Sequence, residues 1–246
     1  MPDVLTTAIE MHQTGQLGPA ARLYQQVLDH EDENADALHL LGVLRHQQGD
    51  HAKAVELICK AIALRPTVAA FHANLAEAYR AVGQLERAAG CCRTALRLWP
   101  EFAEAAVHLG LVLRDQGRTE AAVDQFQAAL RIKPDLAAAH NNLGDALRVL
   151  GQRRQAMLHF RQAVQCDPNL AAARSNLGQI LLEQEELDEA LFHCREAVRL
   201  RPDCAEAHNN LGNALRARDH LTDARACYAE ALHLNPDLAL THANMG

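Results

Sequence analysis

AAAHNNLGDALRVLGQRRQAMLHFRQAVQCDP, residues 137–168, returns 68 residues later as AEAHNNLGNALRARDHLTDARACYAEALHLNP, residues 205–236. Each stretch ends on a proline. Working outward from them, prolines recur at 66, 100, 134, 168, 202 and 236, six of the eight in the chain, at a constant 34-residue interval. Self-similarity at such a period marks a stacked repeat, in which each unit buries its apolar face only against its neighbours. Taking each proline as position 32 sets repeats at 1–34, 35–68, 69–102, 103–136, 137–170, 171–204 and 205–238, with a partial eighth at 239–246. The expectation is an all-α chain, a single solenoid over 1–246.

Within this frame each repeat reads as a helical hairpin. Position 7 is Leu41, Leu75, Leu109, Leu143, Leu177 and Leu211, followed by a small residue, Gly42, Ala76, Gly110, Gly144, Gly178 and Gly212. Position 20 is alanine in all seven repeats (Ala20, Ala54, Ala88, Ala122, Ala156, Ala190, Ala224), and position 27 in six, so two helices approach closely there. Position 15 is Gly15, Gly49, Gly83, Gly117 and Gly151, as a left-handed helix C-terminus requires. Glu185 and Asp219 hold that position in the last two repeats, which predicts mild backbone strain. The residues after the prolines, Thr67, Glu101, Asp135, Asn169, Asp203 and Asp237, are mostly types that cap a following helix.

These residues resemble the tetratricopeptide repeat (TPR), whose Leu-Gly, Ala, Ala and Pro positions are matched in order over essentially the whole chain. The resemblance implies a right-handed superhelical solenoid of 34-residue hairpins. Position 4, often Trp in that family, is His72, His140, His208 and His242 here, and the first repeat lacks both Leu-Gly and the proline, as a terminal repeat does.

Composition narrows the function. A net charge of −7 with no basic run gives no attraction to phosphate backbones, which argues against nucleic acid. No stretch approaches 18 apolar residues and the N-terminus lacks an apolar signal core, so no membrane role is expected. Seven cysteines without a CxxC pair read as structural thiols of a reduced, cytoplasmic protein. The fourteen histidines show no ligand spacing, and no P-loop, HExxH or nucleophile elbow occurs. No metal, no cofactor and no catalytic residue is expected, and the chain reads as a non-enzyme.

At 100° per residue, positions 3, 4, 7, 8, 10 and 11 of the first helix are required for burial, leaving a strip at 2, 5, 6, 9, 12 and 13. The second helix is polar over a wider arc and should lie outside. Down the free strip, position 6 is Asn74, His108, Asn142, Asn176, Asn210 and Asn244, preceded at position 5 by Asn141, Ser175 and Asn209. An amide matches both the donor and the acceptor of a peptide group, so this ladder either holds an extended protein or peptide segment or bonds neighbouring helices. A second ladder at position 12, Arg80, Arg114, Arg148 and Arg216, suits acidic ligand groups or the helix C-terminal dipole, with Glu77 and Asp145 placed to pair with Arg80 and Arg148.

The motifs HNNLGDALR (140–148) and HNNLGNALR (208–216) are also similar to the superhelical arm of protein O-linked N-acetylglucosamine transferases, which implies asparagine contacts to bound polypeptide. Two functional readings follow: a protein- or peptide-binding scaffold, or the substrate-recruiting arm of a larger glycosyl-, sulfo- or methyltransferase. The carboxylate clamp of chaperone-binding TPR proteins needs basic residues at positions 2 and 6 of one repeat, and no repeat has both. The partial repeat at 239–246 predicts an unfinished edge, with Leu232, Leu238 and Leu240 uncovered, at which the protein continues or associates with another copy.

Overall fold

The computed structural model describes residues 4–238 together with Thr241 and Asn244. Among the described residues there are fourteen helices and no strand: α1 (Val4–Gln13), α2 (Leu17–His30), α3 (Ala35–Gln47), α4 (His51–Leu64), α5 (Ala69–Ala81), α6 (Leu85–Leu98), α7 (Ala103–Asp115), α8 (Thr119–Ile132), α9 (Ala137–Val149), α10 (Arg153–Cys166), α11 (Ala171–Leu182), α12 (Leu187–Leu200), α13 (Ala205–Ala217) and α14 (Leu221–Leu234). From α3 onward each odd-numbered helix starts at position 1 of a repeat. The chain divides into two compact units, Met1–Ala128 and Ala129–Gly246.

In the first unit α1 pairs with α2, α3 with α4 and α5 with α6, and the first helices α1, α3, α5 and α7 contact one another in order. In the second unit α9 pairs with α10, α11 with α12 and α13 with α14, with α9, α11 and α13 stacked likewise. The first helices are buried over most of their girth: α13 buries Ala205, Ala207, Asn209, Leu211, Gly212, Ala214 and Leu215, whereas its partner α14 buries only Ala224, Tyr228 and Ala231. In the second unit the cluster of Leu191, Cys194, Leu211, Leu215 and Tyr228 links three helices. Full burial of each large side chain there contributes about 1.5–3 kcal/mol.

The small residue at position 8 has a specific partner at position 24. A Cβ on Gly110 would lie 2.5 Å from the Phe126 ring, one on Gly144 2.7 Å from Phe160, and one on Gly42 2.6 Å from Ile58. The ring occupies the volume a methyl group would need. In the sixth repeat Gly178 has the smaller Cys194 at position 24, whose Sγ would clash with an added Cβ.

The hairpin turns follow the expected rule. Gly15, Gly49, Gly83, Gly117 and Gly151 have positive φ, and Glu185 and Asp219 adopt the same region at 63° and 62°. The capping expectation needs correction. The residue after each proline lies in the turn, one step outside the helix, and the residue in the N-cap position is Val68, Phe102, Leu136, Leu170 or Cys204, none with a side-chain cap bond. Asn34, which caps Ala37 N–H at 2.9 Å, and Asp50, which caps Lys53 N–H at 3.1 Å, are side-chain caps of the ordinary kind.

Position 4 supplies a different device. His72, His140 and His208 place Nε2 2.8, 2.9 and 2.8 Å from the carbonyls of Pro66, Pro134 and Pro202, and Arg174 does the same to Pro168 through Nε at 2.6 Å. A carbonyl only accepts, so these imidazoles carry the proton on Nε2. They tie the start of each first helix to the turn before it.

The unfinished edge expected at 239–246 lies outside the described residues apart from Thr241 and Asn244, as does Leu240. Leu232 and Leu238 are half-buried. No described helix is long and apolar enough to cross a membrane.

Candidate peptide-binding face

The amide ladder is held together across repeats by one recurring bond. Position 6 of a first helix donates to position 5 of the first helix before it, 35 residues earlier. Asn176 Nδ2 reaches Asn141 Oδ1 at 3.0 Å, Asn210 Nδ2 reaches Ser175 Oγ at 2.9 Å, and Asn244 Nδ2 reaches Asn209 Oδ1 at 3.2 Å. In the first unit Asn74 Nδ2 lies 2.8 Å from His39 Nε2 in the same arrangement. Position 5 points toward the neighbouring helix, so Ser175 and Asn209 are buried, while position 6 is half-exposed. Asn209 is further engaged by the buried Thr241 hydroxyl at 3.0 Å.

Asn142 departs from the pattern. The residue 35 before it is Val107, which has no polar atom on its side chain, and Asn142 makes no side-chain hydrogen bond among the described residues. The ladder is therefore of two kinds: Asn74, Asn176, Asn210 and Asn244 are oriented by a helix-to-helix bond, and Asn142 is not. Among the described residues each oriented amide spends one N–H and keeps its second, and all but Asn210, whose Oδ1 accepts from Asn209 Nδ2 at 3.5 Å, keep the carbonyl as well.

His39 accepts from Asn74 because it is neutral. Burial pushes its pKa down to about 4, against a smaller opposing pull from Asp36, and its ring stacks on Phe71 at 4.3 Å.

The arginines at position 12 do not form a uniform second rail. Arg148 pairs with Asp145 at 2.8 Å as the sequence predicts. Arg80 does not pair with Glu77. It reaches Asp115 at the end of the next first helix, at 2.9 Å, and Asp115 also takes Arg114 at 3.4 Å, while Glu77 faces His108 Nε2 at 3.5 Å. The stacking of α5 on α7 brings the next helix's carboxylate nearer than the one on the same helix. Arg216 is exposed and makes no ion pair among the described residues.

Position 9, on the strip expected to be free, adds Asp145, Gln179 and Asn213 to the same half-exposed face. Asn213 accepts from the Tyr228 hydroxyl at 2.8 Å. The signal for the amide bonds and for Arg80–Asp115 was the offset of 35 rather than 34, which pairs unlike positions of successive repeats. On α9, α11 and α13 the second position is the exposed Ala138, Ala172 and Glu206, and a recess of about 140 Å³ lined by Ala172, Ser175, Asn176 and Glu206 lies beside the Asn176 rung. Arranged in this way, the face offers donors and acceptors in a row. Among the described residues no group of three or more His, Cys, Asp or Glu is placed to hold a metal ion.

No curated protein matches the chain. Among solved structures, the APC/C hetero-tetramer Cut9-Hcn1 superposes with a TM-score of 0.85 at 17% identity, over 98% of this chain and 48% of that one, so the chain spans about half its length. Pseudomonas aeruginosa pilF superposes with a TM-score of 0.75 at 20% identity, over 87% and 97% of the two chains. YrrB, described as a TPR protein with an unusual peptide-binding site, gives 0.57 at 29% identity over 77% and 98%. The first two likenesses establish the fold, an all-helical TPR solenoid. A tetratricopeptide-repeat model matches residues 205–238, and the model of the cilia and flagella-associated protein 70 C-terminal domain matches residues 4–208. With that match spanning well over half of its residues, the chain belongs to the cilia and flagella-associated protein 70 C-terminal domain family of TPR proteins.

Proposed function

We propose that the chain is a protein-binding scaffold that holds an extended peptide segment along the first-helix faces of α9, α11 and α13, in a reducing compartment such as the cytoplasm. The observation that carries this reading is the row of half-exposed amides Asn142, Asn176 and Asn210, two of them oriented by helix-to-helix bonds that leave an N–H of each, and the carbonyl of Asn176, unspent among the described residues. Orientation in advance lowers the entropic cost of binding. Helices pack about 8–10 Å apart and extended chain rises about 3.3 Å per residue, so one rung serves about three ligand residues. The peptide-binding description of YrrB supports the same reading. The seven free thiols fit the compartment.

The test uses a peptide selected from a displayed random library on the wild-type chain, titrated into wild type and into the Asn142→Ala, Asn176→Ala, Asn210→Ala triple variant. Each lost bond contributes about 0.5–1.5 kcal/mol, so affinity should fall by on the order of 2–4 kcal/mol. Unchanged affinity would leave the ladder a purely structural feature.

A further inference from the structure

A groove of about 470 Å³ lies in the first unit between the second helices α4 and α6, floored by Leu75 and Tyr79 of α5 and walled by Ile62 and Cys91. Gly90 of α6 lines it. That residue is position 22 of its repeat, where the others carry Arg22, Glu56, Asp124, Leu158, Phe192 and Ala226. Gly90 is exposed in the middle of α6 at ordinary helical φ, and a Cβ added there would meet nothing within 4 Å. Neither backbone conformation nor packing calls for glycine, the poorest helix former after proline. What its missing side chain does is keep the groove open.

The rim is cationic. Arg87 and Arg97 share the helical stripe that carries Gly90, and Arg93 flanks it; Glu86 is the only acid on α6. None of the three arginines makes an ion pair among the described residues. Arg87 donates to Gln84 Oε1 at 2.8 Å and lies 4.9 Å over the Tyr79 ring, at the edge of the groove. In a chain of net charge −7, α6 thus carries three arginines against one acid.

We propose that this groove is a second docking site, separate from the amide face, for an acidic peptide segment that seats one large apolar side chain beside Gly90 and sets carboxylates against Arg87 and Arg97. Apolar floor and unpaired arginine rim together select that chemistry over a neutral or basic segment.

The probe is a fluorescein-labelled Glu/Phe peptide, with Gln/Phe and Glu/Ala peptides as controls, followed by fluorescence anisotropy on the full chain. The expected result is saturable binding of the Glu/Phe peptide that weakens with salt and exceeds both controls. Gly90→Leu should lower that affinity by about tenfold or more while the melting temperature holds or rises, because leucine favours helix and fills open space. Arg87→Gln should weaken binding several-fold and flatten its salt dependence, and the Asn142, Asn176, Asn210 triple variant should bind as wild type does. Absence of saturable binding, equal binding of the Gln/Phe peptide, or survival of binding in Gly90→Leu would overturn the proposal. Loss of binding in the asparagine variant instead would assign the peptide to the other face.

Discussion

Asn176 and Asn210 reach back one repeat to bond Asn141 and Ser175, whereas Asn142 makes no side-chain bond among the described residues, and this difference predicts different costs for removing them. Taken singly, Asn176→Ala and Asn210→Ala should each destabilise the fold by about 1 kcal/mol, the typical net value of such a bond. Asn142→Ala should leave the melting temperature unchanged or slightly higher, since alanine is the better helix former. Thermal melts of the three single variants read this directly. His39 gives the residue scale a pH dependence. Its folded pKa, about 4, lies below the unfolded value of 6.5, so the neutral form is favoured by folding. Stability from this group is fully present above pH 6.5 and is lost as pH falls from 6.5 toward 4, where the unfolded chain is protonated and the folded one is not. At about 1.36 kcal/mol per pKa unit, the loss is on the order of 3 kcal/mol. Burial depresses His46, His159 and His193 in the same direction. Urea unfolding of wild type and His39→Gln between pH 7 and pH 4 should show the steeper fall in wild type; parallel curves would contradict it. The asparagines themselves were legible in the sequence. Their partners were not, because a 34-residue frame aligns position 6 with position 6, and the bond runs from position 6 to position 5.

Between helices, the pairing of Gly144 with Phe160 and of Gly110 with Phe126 sets how near the two arms of a hairpin come. Gly144→Ala would press a methyl group to 2.7 Å from the Phe160 ring and 3.1 Å from the Ala156 carbonyl. Overpacking of this kind costs about 1–3 kcal/mol, which outweighs the roughly 1 kcal/mol helix-propensity gain of replacing glycine. Gly90→Ala, on open ground, should show that gain undiminished. A lower urea midpoint for the first and a higher one for the second is the expected result, and equal shifts would remove the steric account. Helix positions, hairpin turns and core residues were all readable from the sequence, because proline, glycine and alanine recur at fixed positions whose backbone roles are local. Two features were not. The expected caps after the prolines lie one residue too early, since the turn itself takes two residues, and the histidines at position 4 instead tie the helix to that turn by donating to its proline carbonyl. Arg80 found Asp115 rather than Glu77 because stacking creates neighbours that the helical wheel of one helix does not contain.

Among the described residues fourteen helices repeat one hairpin, and the chemistry lies in the few positions where successive repeats differ. The family match places the chain among TPR proteins of the cilia and flagella-associated protein 70 C-terminal type, and the half-exposed amides of the second unit are the surface on which the proposed peptide binding rests. The most direct measurement follows the side-chain NH₂ signals of a ¹⁵N-asparagine-labelled chain by NMR while a library-selected peptide is added. The account predicts saturable shifts of the Asn142, Asn176 and Asn210 side-chain signals, assigned through the single alanine variants, with Asn169 and Asn235 in the inter-repeat turns unmoved. Shifts confined to the turn asparagines, or a peptide that saturates without moving any of the three, would contradict it.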